Sequence, residues 1–490
     1  MIGARDSEVN AATGASRVGA RSAGSCYNGG RQMPRPLRRI ALFLAVVSAL
    51  LSMTGLAAAR LVVGQVVVDG NTKTTLRVLQ ARMGLRPGDE VDFEKLASAE
   101  RRLIESDLFT KAHVYIAMPR EEAARKMYAD DTDSSVDVHV LVTEKTSYFV
   151  VPTASFGSGD YAAGVAYGDQ NLAGHDLQLV GAAQIGQSKS YVFAGFGDPL
   201  VVGAPLTWGV TGLYRHEKIR YFADHQRILE VPTVVGGAEA DIGWVVTPHL
   251  RALAGFSARS QLVKPAVVVV PDAVLPAYNA GNGRIFLLVF QIRYDDTIAP
   301  EGIRKGVRIG LKNEIGDRYW GSQFDYSKFE VHTEFYGQVG WNYPSLIFGT
   351  VFDFPTSNRG VPITEMLRIG GSNLRGFLVN EFHGDTLFST QIEDQAVILS
   401  GIPLPLVDTR FNVALALFVD SAVLLERHPA GTTLDLPAPR REKLSDIHTG
   451  VGGGFRIILP GVAIPALKAD VGYGIDVHAF AVTVSIAGGG

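Results

Sequence analysis

The chain has 490 residues, a formal net charge of -3, 47% hydrophobic residues and 19% charged ones. It lacks the basic excess that holds a phosphate backbone, so nucleic acid is excluded as a partner. Beyond one N-terminal stretch it also lacks the long apolar runs of a helical membrane bundle. Its 54 glycines recur inside short alternating segments, which predicts many strands and tight turns.

Residues 1–32 precede a second methionine, Met33, and have the Gly/Ser/Ala/Arg-rich composition of a disordered or untranslated extension. Residues 33–59 then read as a signal peptide. Arg35, Arg38 and Arg39 supply its charged part, Ile40–Leu51 its apolar part and Ala57-Ala58-Ala59 its small-residue part. An uncleaved anchor is the alternative, because Ile40 to Ala59 carries no charge and is long enough to span a bilayer. The only cysteine, Cys26, lies ahead of this segment, and no apolar run precedes it to mark a lipidation site. A chain cleaved after residue 59 has no thiol, which excludes disulfides, thiolate metal sites and cysteine nucleophiles.

Residues 60–147 predict a small mixed domain. Leu61–Val68 is a β-branched run ending in the turn residues Asp69-Gly70-Asn71. Thr74 or Thr75 is placed to cap a helix reaching Met83, stopped by Gly84 and the Pro87-Gly88 turn. Asp92 should cap a second helix that puts Phe93, Leu96, Leu103 and Ile104 on one face. Strands at Val114–Ile116 and Val136–Val142 come next, the latter with its valines inward and Asp137, His139 and Leu141 outward. The order strand, helix, helix, strand, strand, with the wording VVVDGNTKT, LRPGD and DFEKLASAERRLIESDLF, resembles a POTRA domain of the BamA/TamA superfamily. Pro119–Ser135 departs from it as a charged insertion where that family has a tight hairpin. The resemblance implies a sheet edge offered to unfolded or extended polypeptide; the plainer reading is a spacer that shields the mouth of a C-terminal barrel.

Residues 148–490 alternate with a period of two. Phe411, Val413, Leu415 and Leu417 oppose smaller or polar neighbours, and Phe480, Val482, Val484 and Ile486 oppose Ala481, Thr483 and Ser485. A soluble sandwich shows the same period, but an export signal and repeated glycines favour an outer-membrane β-barrel facing lipid outside and water within. At about ten residues per strand plus turns, the segment accommodates about 16 antiparallel strands, closed because an open edge cannot be satisfied in lipid.

Local wording resembles the same superfamily. Tyr167–Gly174 (YGDQNLAG) is similar to a hairpin near the barrel start, and Asp295-Asp296 with Pro300 and Gly302 to a mid-barrel strand and turn. Leu367–Phe377 (LRIGGSNLRGF) is similar to the sixth extracellular loop, whose R-G-F tip folds back into the lumen. Phe418-Val419-Asp420 resembles the strand whose aspartate faces that tip, and Gly452–Arg456 with Asp470–Gly474 the closing strands. The resemblance implies that Arg375 pairs with Asp420, that Gly376 turns the loop and that Phe377 anchors it; otherwise Arg375 simply projects into solvated lumen. Ala422 stands where the family has glycine, and the chain ends in Ala487–Gly490 rather than an aromatic residue.

Nothing in the sequence assembles a catalytic constellation. The 11 histidines are scattered, Gly452–Gly454 reads as a flexible strand segment, and no serine sits at a strand-to-helix elbow. Asp130, Asp131 and Asp133 lack the glycine and glutamate of a calcium loop and read as a solvated charge run. The expectation is a non-enzymatic assembly factor without cofactor or metal. Its partners would be unfolded outer-membrane or secreted polypeptides and outer-membrane lipid, with periplasmic chaperones or accessory subunits as further candidates. A polypeptide translocator and a passive channel or surface antigen are the alternatives.

Overall fold

The computed structural model describes residues 61–117, 134–201, 203–223, 225–270, 281–299, 302–357, 361–403, 410–425, 447–459 and 466–486. The expected extension and signal peptide with Cys26, residues 119–133 of the charged insertion with their three aspartates, Pro300 and the terminal Ala487–Gly490 lie outside the described residues.

Strand β1 (Leu61–Asp69) leads through helices α1 (Leu76–Met83) and α2 (Phe93–Glu105) to β2 (Phe109–Ile116) and β3 (Ser134–Glu144). The sheet order is β1-β3-β2, with β3 parallel to β1 and antiparallel to β2. Ser134 and Ser135, the last two residues of the expected insertion, are already part of β3. Val136, Val138, Val140 and Val142 point into a core shared with Leu79 and Met83 of α1 and Leu96, Ala99 and Leu103 of α2. Asp137 and Leu141 face out, and His139 is half-buried.

Two local expectations fail. Ile104 is exposed, because it lies about 100° around the helix from Leu103, and Ala99 takes the buried place beside Leu96 and Leu103. Thr75 precedes α1 but makes no side-chain capping bond, and Thr74 is turned elsewhere. Asp92 does cap α2, accepting from Lys95 N at 2.7 Å, and Gly84 ends α1 in the left-handed conformation. At Gly70, φ is 88° and a Cβ would lie 2.0 Å from Val142 O, so the turn admits only glycine. Asn71 Nδ2 donates to Thr74 O at 3.1 Å, while the Pro87-Gly88 turn is tied to β1 by Gly88 N donating to Val63 O at 2.8 Å.

From Tyr148 to Ile486, sixteen antiparallel strands form a closed barrel in which each strand pairs with its sequence neighbours and the last pairs with the first. Apolar side chains such as Leu415, Leu417, Phe480 and Val482 cover the outside, while Glu393, Asp420 and Arg456 alternate inward. The turn after the second strand (Asp160–Leu172) docks on the N-terminal domain: Asn171 Nδ2 donates to Thr74 Oγ1 at 2.8 Å, Thr75 N to Gly174 O at 2.9 Å, and Lys73 and Arg82 pair with Asp169 and Asp176. The YGDQNLAG segment is thus both a hairpin and the seat of the preceding domain. We call this end of the barrel the near rim and the opposite end the far rim.

Candidate functional site

Between the eleventh strand (Asn342–Pro355) and the twelfth (Thr386–Pro403), the far-rim loop turns into the lumen instead of out into solvent. A short hairpin, Leu367–Ile369 paired with Phe382–Gly384, gives it a rigid stem. Arg375 sits at its tip and is buried.

Asp420, on the inner face of the thirteenth strand (Arg410–Leu425), receives Arg375 Nε and Nη2 at 2.7 Å each and the Arg375 backbone N–H at 3.0 Å. The planar fork therefore has the two-point geometry that lysine cannot supply. Arg375 Nη1 also meets Glu393 and lies 3.5 Å from Asp470 Oδ2. Its guanidinium stacks 3.5 Å above the centre of the Phe418 ring. Arg456 bridges the same carboxylates, at 2.6 Å to Asp470 Oδ1 and 3.0 Å to Glu393 Oε2. Lys468 approaches Asp470 Oδ2 at 3.4 Å. Three cations thus interleave with three carboxylates, which balances charge in a place with little water.

Backbone contact requires glycine on both surfaces. Gly376 has φ of 100°, and a Cβ there would lie 2.8 Å from Gly474 N. Facing it, a Cβ on Gly450 would lie 1.7 Å from Arg375 O and one on Gly472 2.5 Å from Gly376 N. Gly452–Gly454 forms part of a regularly paired strand, His448–Ile458, rather than a loose segment. Its lack of side chains makes room: a Cβ on Gly452 would meet Phe418 Cζ at 2.6 Å. Phe377 is buried edge-on to Phe382 and His448, with Leu374, Ala422 and Leu424 around it. The methyl of Ala422 fills space in that cluster and does not hold the loop away.

The loop is pinned elsewhere as well. Arg368 forks onto Glu217 of the fifth strand (Leu206–Ala223) at 2.9 and 3.2 Å, and Glu365 meets Arg259 at 3.2 Å. Val379 N donates to Ser158 O at 2.9 Å, and Ser158 N in turn donates to Val482 O of the last strand at 3.0 Å. Among the described residues no group of three His, Cys, Asp or Glu is placed to hold a metal ion.

Of the residues singled out from sequence, Arg375, Gly376, Phe377 and Asp420 meet at this one place, whereas Gly70, Asn71, Pro87 and Gly88 lie in turns of the N-terminal domain. Glu393, Arg456, Asp470 and Lys468 were not singled out as partners. Arg456 and Asp470 fall within the closing-strand wording, and inward alternation along Gln391, Glu393 and Gln395 was the available signal for Glu393.

The Omp85 superfamily domain matches residues 171–480, and the POTRA family, described as a surface antigen variable number repeat, matches residues 61–145. No curated protein matches at the level of sequence. Among solved structures the fold is similar to BamA from Haemophilus ducreyi lacking POTRA domains 1-3, with a TM-score of 0.60 and 15% identity over 87% of this chain and 84% of that one. It is also similar to CdiB from Acinetobacter baumannii, with a TM-score of 0.55 and 12% identity over 88% of this chain and 74% of that one. At such identities the likeness is one of fold, and the family match carries the assignment: the chain belongs to the Omp85 superfamily, with a POTRA domain ahead of a sixteen-stranded β-barrel.

Proposed function

We propose that this protein is an outer-membrane assembly factor of the BamA/TamA type and not an enzyme. Its POTRA domain lies in the periplasm and receives unfolded polypeptides, and its barrel seam templates their insertion. The observation that carries this reading is the seam. The first strand (Tyr148–Gly157) pairs directly with the last (Ala479–Ile486), Ala154–Gly157 against Thr483–Ile486, so this junction is held by backbone hydrogen bonds and no turn joins its two strands. Parting it exposes unpaired N–H and C=O groups in an apolar setting, and such an edge recruits another strand, because leaving those groups unsatisfied is costly.

Secretion of a polypeptide through the lumen is the second reading, supported by the fold shared with CdiB. It requires the inward loop to leave a lumen in which it is pinned to several strands. Depleting the protein and quantifying the envelope separates the two. An assembly factor predicts that barrel proteins fall together in abundance. Loss of one secreted protein with unchanged barrel levels would favour the translocator, and no change in either would favour a passive channel.

A further inference from the structure

The turn joining the eighth strand (Gly283–Asp295) to the ninth (Gly306–Gly316) lies at the near rim, whereas the loop that carries Arg375 enters from the far rim. Its base is stiff. Val307 N donates to Asp296 Oδ1 at 2.6 Å, and Ile298 and Lys305 exchange backbone hydrogen bonds at 2.8 and 2.9 Å. Gly302 and Ile303, on its returning arm, are buried.

Ile303 is buried against Tyr343, Ala414 and Ile458, which project inward from the eleventh, thirteenth and fourteenth strands, beyond the turn's own pair of strands. Gly302 has φ of 79°, and a Cβ there would lie 2.5 Å from Leu459 O, so the backbone itself rests on the end of the fourteenth strand. The next two residues add polar fastenings. Arg304 Nη1 is 3.7 Å from Glu334, and Lys305 Nζ lies 5.5 Å from the centre of the Tyr343 ring. A cavity of about 250 Å3 separates this tip from the far-rim loop, with Gly302–Arg304 on one side and Ser372 and Arg375 on the other.

We propose that residues 302–305 form a second stopper, in which Ile303 seats in an apolar socket and closes the near end of the cavity below Arg375 independently of the far-rim loop. This side of the lumen then carries two closures in series with a small chamber between them. Displacing the far-rim loop alone does not open a path along it, and polypeptide held at the POTRA domain is kept out of the chamber. The device works in the same way whether the barrel inserts its clients or secretes them.

The test is the accessibility of a thiol in the chamber. Ser345 lines it from the eleventh strand, and Ser345→Cys in a Cys26→Ser background places one reporter there in the full chain. A bulky water-soluble maleimide is applied to folded, heat-modifiable protein in detergent micelles. With native Ile303 the reporter should label slowly. Ile303→Asp cannot leave a carboxylate in an apolar socket, so labelling should accelerate by at least about tenfold. Gly302→Ala, which unseats the turn without adding charge, should act in the same direction, while Ile303→Leu should label as slowly as the native turn. Equal rates in all four proteins, or native labelling as fast as that of a thiol on the outer rim, would overturn the proposal.

Discussion

Arg375 is held by two carboxylates, a third within 3.5 Å and an aromatic face. Removing such a group strands Asp420, which is fully buried. Arg375→Ala should therefore cost on the order of 3–5 kcal/mol of barrel stability, read as a lower temperature for the loss of heat-modifiable migration. Arg375→Lys should recover only part, since an ammonium keeps the charge and loses the fork. An alanine variant as stable as the parent would mean that the cluster is solvated. The arginine and its aspartate were legible because their motifs resemble a known loop and strand. The rest of the cradle was not: Glu393, Arg456 and Asp470 sit on the twelfth, fourteenth and fifteenth strands, and alternation says which way a side chain faces but not which inward residues come level along the barrel.

At the scale of elements, the joint between domain and barrel depends on a few buried polar contacts. Asn171 is buried and spends its amide on Thr74. Asn171→Ala should weaken the joint by about 1–3 kcal/mol, and spin-label distances between the domain and the barrel should broaden; unchanged distributions would show that the ion pairs suffice. Beside it, Glu144 at the end of β3 accepts from the Thr72 hydroxyl at 2.5 Å and from the backbone N–H groups of Thr74 and Lys73 at 2.6 and 2.8 Å. Burial raises the carboxyl pKa, but these hydrogen bonds outweigh it and bring the carboxyl down from 4.5 to about 2. A lowered carboxyl stabilises the folded domain above about pH 4.5, and that contribution is lost as pH falls towards 2. Glu144→Gln should flatten the acid limb of domain unfolding followed by hydrogen exchange, whereas a retained limb would place the acid sensitivity elsewhere. The valine alternation of β3 and the cap at Asp92 were plain in the sequence because each is a local rule. The docking role of YGDQNLAG was not, because it depends on where the neighbouring domain comes to rest.

Over the whole molecule, closure follows from alternation plus the need to satisfy every backbone group in lipid, so a barrel of about 16 strands could be read from period and length together with the expected export signal and the repeated glycines. The register of the seam could not, since strand register depends on pairing partners that a single strand's pattern does not specify. The central claim is that this seam must part for the protein to work. Ser155 and Ser485 are direct partners across it, so Ser155→Cys with Ser485→Cys in a Cys26→Ser background closes it reversibly. The decisive measurement is the folding rate of a client barrel protein into vesicles containing this variant, oxidised and then reduced. The account predicts folding no faster than in empty vesicles when the seam is oxidised, and recovery on reduction. Undiminished folding through a fully cross-linked seam would contradict it.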